Sequence, residues 1–437
     1  MKVMFDKAYR QRLANDLPSW RARGWITEEG ARKILASLDA DRRPGFGLAA
    51  VVAVLGTLLL GFGLFAFIGA NWDYMPRMAR FGLLVLALAL AYGAGAVLQR
   101  KDLPRFADAA VLLGGMVFAG AIALVGQTYH LAGEFADAVL LWLVGASVAA
   151  FATRSVSGTV LALAGACYWI WLAAENGIVP HWGGLIAILL LGAHGVLLDS
   201  RIARTTSIFA LAFWIVMTTI VLGDRFDLPA AGGFAMLGCI GLAVWSVGLV
   251  MTTLPPAHAP RTIKMGQDLV TPAFAGFLLA AGVLQIALFD MQSRGGGTFW
   301  IGIAVGALVI AVALAALDWR RGALRVIDVA AAAVLGAALL AVALWVDPDE
   351  FSGRLAAGSI VILACLWWIS LGHAGHASGG KLSLFAFGAQ VLYLYSVTLG
   401  SLIDTALAFL VGGVLFIALA FLLYRLDKRL AAREVAP

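Results

Sequence analysis

Apolar runs, each close to the length of one bilayer crossing, alternate along this chain with short polar turns. Drawn against the roughly 20 residues that cross about 30 Å of hydrocarbon, they fall at 48–69, 78–98, 107–126, 137–153, 156–174, 182–198, 204–222, 231–253, 270–290, 298–317, 325–346, 354–371, 381–399 and 402–424. A backbone in lipid has no water to bond and must close its hydrogen bonds within helices or closed barrels. Runs of this length select helices. The pattern therefore predicts an all-α, polytopic transmembrane bundle of about 14 spans. The fourth, fifth and sixth runs are short, which sets the range at 12–14.

Residues 1–46 read differently. Leu13, Leu17 and Trp20 recur at helical spacing, and Gly24 is a C-cap candidate. Thr27 is placed to cap a second helix, with Glu28 and Glu29 in its first turn and Ala31, Ile34, Leu35 and Leu38 as its apolar stripe. The expectation is a small polar helical hairpin, closed by Pro44 and Gly45. Two short helices bury little surface alone, so the hairpin is expected to pack on the membrane domain, on a protein partner or on a second copy. The predicted organisation is a hairpin over 1–46, a transmembrane domain over 47–425 and a short basic tail over 426–437.

Charge orients the bundle. With the N-terminus in the cytoplasm, 26 of the 31 Lys and Arg residues fall on the cytoplasmic side, and Arg77, Arg80, Arg225, Arg294 and Arg354 fall outside. That is the positive-inside bias of a multi-pass protein. It predicts an even number of spans with both termini cytoplasmic, in a cell inner membrane. No cleavable signal is expected, because the basic stretch runs to Arg43 before a first run long enough to span.

Composition agrees. The chain is 62% hydrophobic and 13% charged, with mean hydropathy +0.93, and a soluble domain carries about twice that charged fraction. The net charge of +6 sits in short turns beside span ends. It therefore points to lipid headgroups and topology rather than to nucleic acid. Cys167, Cys239 and Cys365 lie far apart in apolar runs, so packing is expected rather than a disulfide framework or a metal site. Among the 50 glycines, Gly302 and Gly306 form a GxxxG pair, and Gly114, Gly115 and Gly120 leave one helix face bare. Such faces permit close helix approach. The Pro-rich stretch 254–260 reads as a linker.

Candidate chemistry is sparse. No drawn span carries Asp, Glu, Lys or Arg near its centre; Asp108, Asp137, Asp199, Asp290, Asp328 and Asp404 fall at span ends, where water or headgroups are expected to solvate them. Ion-coupled transporters keep an ionisable group at depth, so a conventional proton-coupled pump is disfavoured. Gln285, Gln390 and His194 are the strongly polar interior candidates.

Polar residues gather instead on the expected outer side. Asn71, Trp72 and Asp73 follow the first span; Gln127, Tyr129, His130 and Glu134 follow the third; Glu175 and Asn176 end the fifth. Together they suggest an outward-facing pocket in which Asp73 and Glu134 supply negative charge, His130 a proton or a ligand, and Trp72 and Tyr129 stacking surfaces. Each has a plainer competitor: aromatics at headgroup depth form belts, and Asn71 and Asp73 suit turns. On a continuous helix His130 and Glu134 would share a face, but two ligands rarely make a metal site. No metal and no cofactor are expected. His373 and His376 lie in a Gly-rich turn and read as solvated. The chain carries no P-loop, GxSxG, HExxH or dinucleotide fingerprint in a usable context.

Gly24-Trp25-Ile26-Thr27 in the hairpin, the Asn71-Trp72-Asp73 turn and the Gly126-Gln127-x-Tyr129 segment resemble a bacterial family of predicted membrane proteins, domain of unknown function 2157. The resemblance covers about the first third of the chain. It implies a multi-pass bacterial membrane protein and no particular activity.

Three functional classes fit these features. The first is a transporter or permease for a small or amphipathic, envelope-related or lipid-linked solute. The second is a membrane assembly factor, sensor or scaffold acting through a protein partner of the hairpin. The third is an intramembrane enzyme on a lipid-linked substrate, with Asp73 and Glu134 as acid and base. Its long outer loops are missing, so a non-enzyme is the expectation. The lipid bilayer is a partner in all three.

Overall fold

The computed structural model describes residues 74–130, 133–178, 180–254, 260–287, 298–345, 351–373 and 380–399, with scattered positions between 13 and 66. The run at 402–424, the basic tail and most of the run at 48–69 lie outside the described residues. Every regular element described is helical, as the pattern of apolar runs required. The chain divides into two compact units, Met1–Leu131 and Ala132–Pro437.

In the first unit the hairpin signals take the form expected of them. Gly24 has a left-handed φ of 72°. Its N–H reaches the Arg21 carbonyl and the Trp25 N–H reaches the Trp20 carbonyl, the paired bonds of a glycine-terminated helix. Thr27 accepts the Gly30 N–H at 3.1 Å, and Glu29 pairs with Lys33 at 2.8 Å. Leu13 and Leu17 are buried.

Two long helices follow, α1 (Arg77–Arg100) and α2 (Pro104–Tyr129), with Pro104 at the first position, where a missing N–H costs nothing. They run antiparallel and close. The Tyr92 ring lies where a Cβ on Gly114 would stand, and Gly95 meets Val111 and the Ala107 carbonyl. Leu84 and Ala121 are buried between them, flanked by Leu83, Leu88, Leu124 and Val125. The rest of α1 is apolar yet exposed, including Val85, Leu86, Leu90 and Val97. An apolar surface that the protein does not cover is what lipid covers.

The second unit holds α3 (Phe135–Thr153), α4 (Val156–Glu175), α5 (Trp182–Leu197), α6 (Arg201–Arg225), α7 (Ala230–Thr252), α8 (Pro260–Ala287), α9 (Phe299–Arg320), α10 (Val326–Trp345), α11 (Phe351–His373) and α12 (Gly380–Leu399). Among the described residues ten helices are long and apolar enough to cross a membrane, and α5 and the apolar stretch of α12 are shorter. At 1.5 Å per residue, the 16 residues of α5 rise about 24 Å.

One core joins α3 to α6 through Leu143, Ala162, Leu163, Ile170, Ile188 and Leu191. A larger one joins α7 to α11 around Trp245, Phe274, Phe277 and Trp368. The tightest crossing is α7 on α8. A Cβ on Gly241 would stand 3.1 Å from the Phe277 nitrogen, and one on Gly266 would stand 2.6 Å from the Gly248 carbonyl. Any side chain there would push the helices apart.

Two expectations are corrected. Helix α8 begins at Pro260, ten residues before the drawn span, because residues 260–269 carry their own buried stripe of Gly266, Asp268 and Leu269. The GxxxG pair does not mediate a helix contact among the described residues: nothing approaches within 4 Å of a Cβ on Gly302 or Gly306. Helix α9 instead buries Ala304, Ala311 and Ala315.

Candidate functional site

The expected outward cluster is taken first. Asn71, Trp72 and Asp73 lie outside the described residues. In the first unit Gln127 and Tyr129 are exposed at the end of α2, and His130 stops that helix with a left-handed φ of 49°, its N–H bonded to the Gly126 carbonyl. In the second unit Glu134 is the exposed N-cap of α3, and its side chain makes no capping bond. Because α2 ends at Tyr129 and α3 starts at Phe135, the continuous helical face imagined for His130 and Glu134 does not form. Glu175 and Asn176 have local duties: Glu175 accepts the Trp171 indole N–H at 2.8 Å, and Asn176 donates to the Leu172 carbonyl at 2.8 Å.

The interior candidates are better organised. Gln285 of α8 and Gln390 of α12 face each other and exchange two amide bonds, of 2.8 and 2.9 Å. The Gln390 amide also lies 3.4 Å from the Gly358 carbonyl of α11. Both glutamines are buried. Gly358 makes room for them, since a Cβ there would stand 2.8 Å from Gln390 Nε2 and 3.1 Å from Gln285 Oε1. His194, also buried, lies 3.0 Å from Thr159 Oγ1 through Nδ1. The single Thr159 hydroxyl proton goes to the Ser155 carbonyl at 2.7 Å, so His194 is the donor and carries its proton on Nδ1.

The ion pairs described in the second unit gather at one end, and one carboxylate expected to be solvated, Asp328, is buried there. Arg204 presses two nitrogens onto Asp268 Oδ2, Nε at 2.8 Å and Nη2 at 2.6 Å. Arg201 Nε takes Asp268 Oδ1 at 3.1 Å. Asp199 receives Arg204 Nη1 at 3.3 Å and Lys264 Nζ at 2.6 Å.

Further along this end, Thr253 Oγ1 lies 2.9 Å from Asp318 Oδ1, and Arg325 grips Asp328 with Nε at 2.9 Å and Nη2 at 2.8 Å. The Arg325 backbone N–H reaches the same carboxylate at 3.0 Å. These bonds hold the Arg325 guanidinium above its ordinary pKa. Trp367 adds an indole N–H to Asp328 Oδ1 at 3.2 Å, and Ser370 receives Arg325 Nη2 at 2.9 Å. Asp328 was expected to be solvated at a span end. It is instead fully buried, because α11 lays Trp367 over it.

Sequence reading missed Asp268 and Asp318 altogether. The drawn spans began at 270 and ended at 317, which left both in presumed turns. The available signal was spacing: Lys264 and Asp268 stand four apart, one helical step, directly before an apolar run. Buried atoms without partners among the described residues are Asp318 Oδ2, Ser246 Oγ and the indole nitrogens of Trp245 and Trp368. No group of three or more His, Cys, Asp or Glu residues able to hold a metal occurs among the described residues.

Helices of spanning length and apolar faces left to lipid define a multi-span helical membrane protein. A family model described as "Predicted membrane protein (DUF2157)" matches residues 18–159, about the first third of the chain. No curated protein and no solved structure matches the chain.

Proposed function

We propose that this protein is a multi-pass inner-membrane permease for a small or amphipathic, uncharged solute of the cell envelope, with both termini in the cytoplasm. The observation that carries the reading is the Gln285–Gln390 pair. Two amides that satisfy each other across α8 and α12 offer a donor and an acceptor each to a solute that parts them. Their neutrality matches the confinement of the described ion pairs to one end of the second unit. A solute recognised by amides needs neither a titrating carboxylate nor a bound cation at that depth. The concentration of Arg and Lys at the opposite helix ends, among them Arg201, Lys264, Arg321 and Arg325, supports a cytoplasmic assignment for that end.

The test is stopped-flow swelling of proteoliposomes in gradients of glycerol, urea and small amides. Wild-type vesicles should swell faster than empty ones, and vesicles carrying the Gln285→Leu/Gln390→Leu double variant should match the empty control. Equal swelling in all three sinks the permease reading. Labelling from outside intact cells of cysteines placed at Lys101 or Arg321 would overturn the orientation.

One observation favours a second reading, a scaffold or sensor acting through the N-terminal hairpin. Trp25 is 66% exposed beside the Gly24 turn, with the Arg23 guanidinium 5.1 Å from the centre of its ring. An exposed Trp–Arg pair is a common anchor for a protein partner. A chain lacking residues 1–43 that fully rescues a knockout phenotype excludes this reading and leaves the permease standing.

A further inference from the structure

We propose that the outward face of the first turns of α6 binds the phosphate of an acidic phospholipid, through Arg201, Thr205 and Thr206. A shallow groove of about 390 Å³ runs there, lined by Arg201, Ile202, Thr205, Thr206 and Phe209. At 100° per residue these five positions share one sector of the helix. The opposite sector, Ala203, Arg204, Ser207, Ile208 and Ala210, is buried in the unit. The groove therefore faces away from the protein core, on a helix of spanning length.

Charge at this end is unbalanced. Arg201, Arg204 and Lys264 contribute three positive charges and Asp199 and Asp268 two negative ones, leaving one positive charge over. Arg204 and Lys264 hold Asp268 and Asp199 at 2.6 Å each, so the surplus rests on the outer cation. Arg201 has a side chain 76% exposed and gives Nε to Asp268. Its terminal nitrogens have no partner among the described residues. They are the donors a phosphate oxygen takes in charge-assisted bonds.

The hydroxyls point the same way. Thr159, Ser207 and Thr219 each return their hydroxyl to the carbonyl four residues earlier, the usual resolution for a polar side chain in an apolar helix. The Thr205 and Thr206 hydroxyls make no hydrogen bond among the described residues, although each residue stands one helical step beyond the groove residues Arg201 and Ile202. They flank the free guanidinium nitrogens with two more donors. Ile202 and Phe209 are exposed in the same sector. They suit the glycerol backbone and acyl chain of a lipid, and a free inorganic ion has no use for them. A phosphate at the helix end, with hydrocarbon continuing along the apolar helix, also matches the depth order of a phospholipid.

The experiment uses the full-length protein in detergent, titrated with phosphatidylglycerol or phosphatidylcholine and followed by native mass spectrometry and thermal unfolding. The wild type should prefer phosphatidylglycerol, and Arg201→Gln should lower that preference about fivefold, the worth of one basic residue near an anionic lipid. Because Arg201 also touches Asp268, the Thr205→Val/Thr206→Val variant serves as the second probe. It leaves every ion pair intact and should weaken phosphatidylglycerol binding several-fold with an unchanged lipid-free unfolding midpoint. Equal binding of the two lipids by the wild type overturns the proposal, as does full retention of the preference in both variants. Inorganic phosphate that displaces the lipid and reproduces its stabilisation would show that the groove reads a free anion, which also overturns it.

Discussion

Arg204 and Asp268 stand sixty-four positions apart and form a buried ionic joint, with two guanidinium nitrogens on one carboxylate oxygen. Their side chains are 5% and 7% exposed. Both charges have left water, so each needs the other. The joint fixes the start of α6 against the early turns of α8. It sits one turn before Pro272, which removes the helical bond that the Asp268 carbonyl would otherwise receive.

Removing one partner should therefore cost far more than removing both. Asp268→Asn leaves a buried guanidinium with Asp199 as its remaining counter-charge, and breaking such a pair typically costs about 3–5 kcal/mol. The Arg204→Met/Asp268→Leu double variant should recover most of that loss, since apolar side chains of similar volume replace a buried pair at little net cost. Thermal unfolding in detergent, followed by tryptophan fluorescence, reads both. A double variant no better than the single one would mean that the pair holds geometry that apolar packing cannot replace.

The glutamine pair obeys the same asymmetry at smaller scale. Gln285→Leu strands the Gln390 amide with the long contact to Gly358, and a stranded buried polar group costs about 1–3 kcal/mol. The double leucine variant strands nothing and should unfold close to the wild type while losing any solute-dependent swelling. Gly358→Ala places a methyl group 2.8 Å from Gln390 Nε2, so it should destabilise the wild type. In the double leucine background the same substitution meets different side chains, and a double-mutant cycle measures the coupling. Additive effects would remove the link between Gly358 and the pair.

How much of this was legible without coordinates depended on period and sign. The helical class, the run boundaries near Arg77, Val156 and Val326, the Gly24 turn and the Thr27 cap all follow from local rules, and each is where the rules place it. Gln285 and Gln390 stood out singly as polar residues in apolar runs. Their pairing did not, because residues 105 positions apart meet only through the packing of α8 against α11 and α12. The buried carboxylates were hidden for a related reason. Asp268 and Asp318 fell just beyond the drawn runs and Asp328 near the start of one, where a charge reads as solvated, yet all three are inside because Arg204, Thr253 and the Arg325–Trp367 pair meet them there. The outward cluster was drawn from loop composition, and its first three members lie outside the described residues.

Tryptophans of the larger core should differ in what their indole nitrogens contribute. Trp367 donates to Asp328, whereas the Trp245 nitrogen is buried without a partner among the described residues, although the two rings lie 5.0 Å apart. Trp367→Phe removes a bond to a buried carboxylate and should cost about 1.5–3 kcal/mol from that bond alone. Trp245→Phe gives up similar ring area but also removes an unsatisfied buried donor, so it should cost less. Unfolding midpoints of the two variants give the comparison, and an equal or larger loss for Trp245→Phe would mean its nitrogen has a partner after all.

His181 makes stability depend on pH in a stated direction. Its Nδ1 accepts the Gly184 N–H at 3.2 Å as the N-cap of α5, its ring meets Trp169 edge-on at 4.2 Å, and its carbonyl receives the Trp214 indole N–H. Burial pushes its pKa below the ordinary 6.5, and protonating Nδ1 would also remove the capping acceptor and set a positive charge at a helix N-terminus. The unfolded imidazole therefore takes its proton first. Its contribution is fully present above pH 6.5 and is lost as pH falls from there through the depressed folded value. His181→Asn keeps a capping oxygen and removes the titration, so its midpoint should vary less between neutral and mildly acidic pH than that of the wild type. The same slope in both proteins would assign the acid sensitivity to another group.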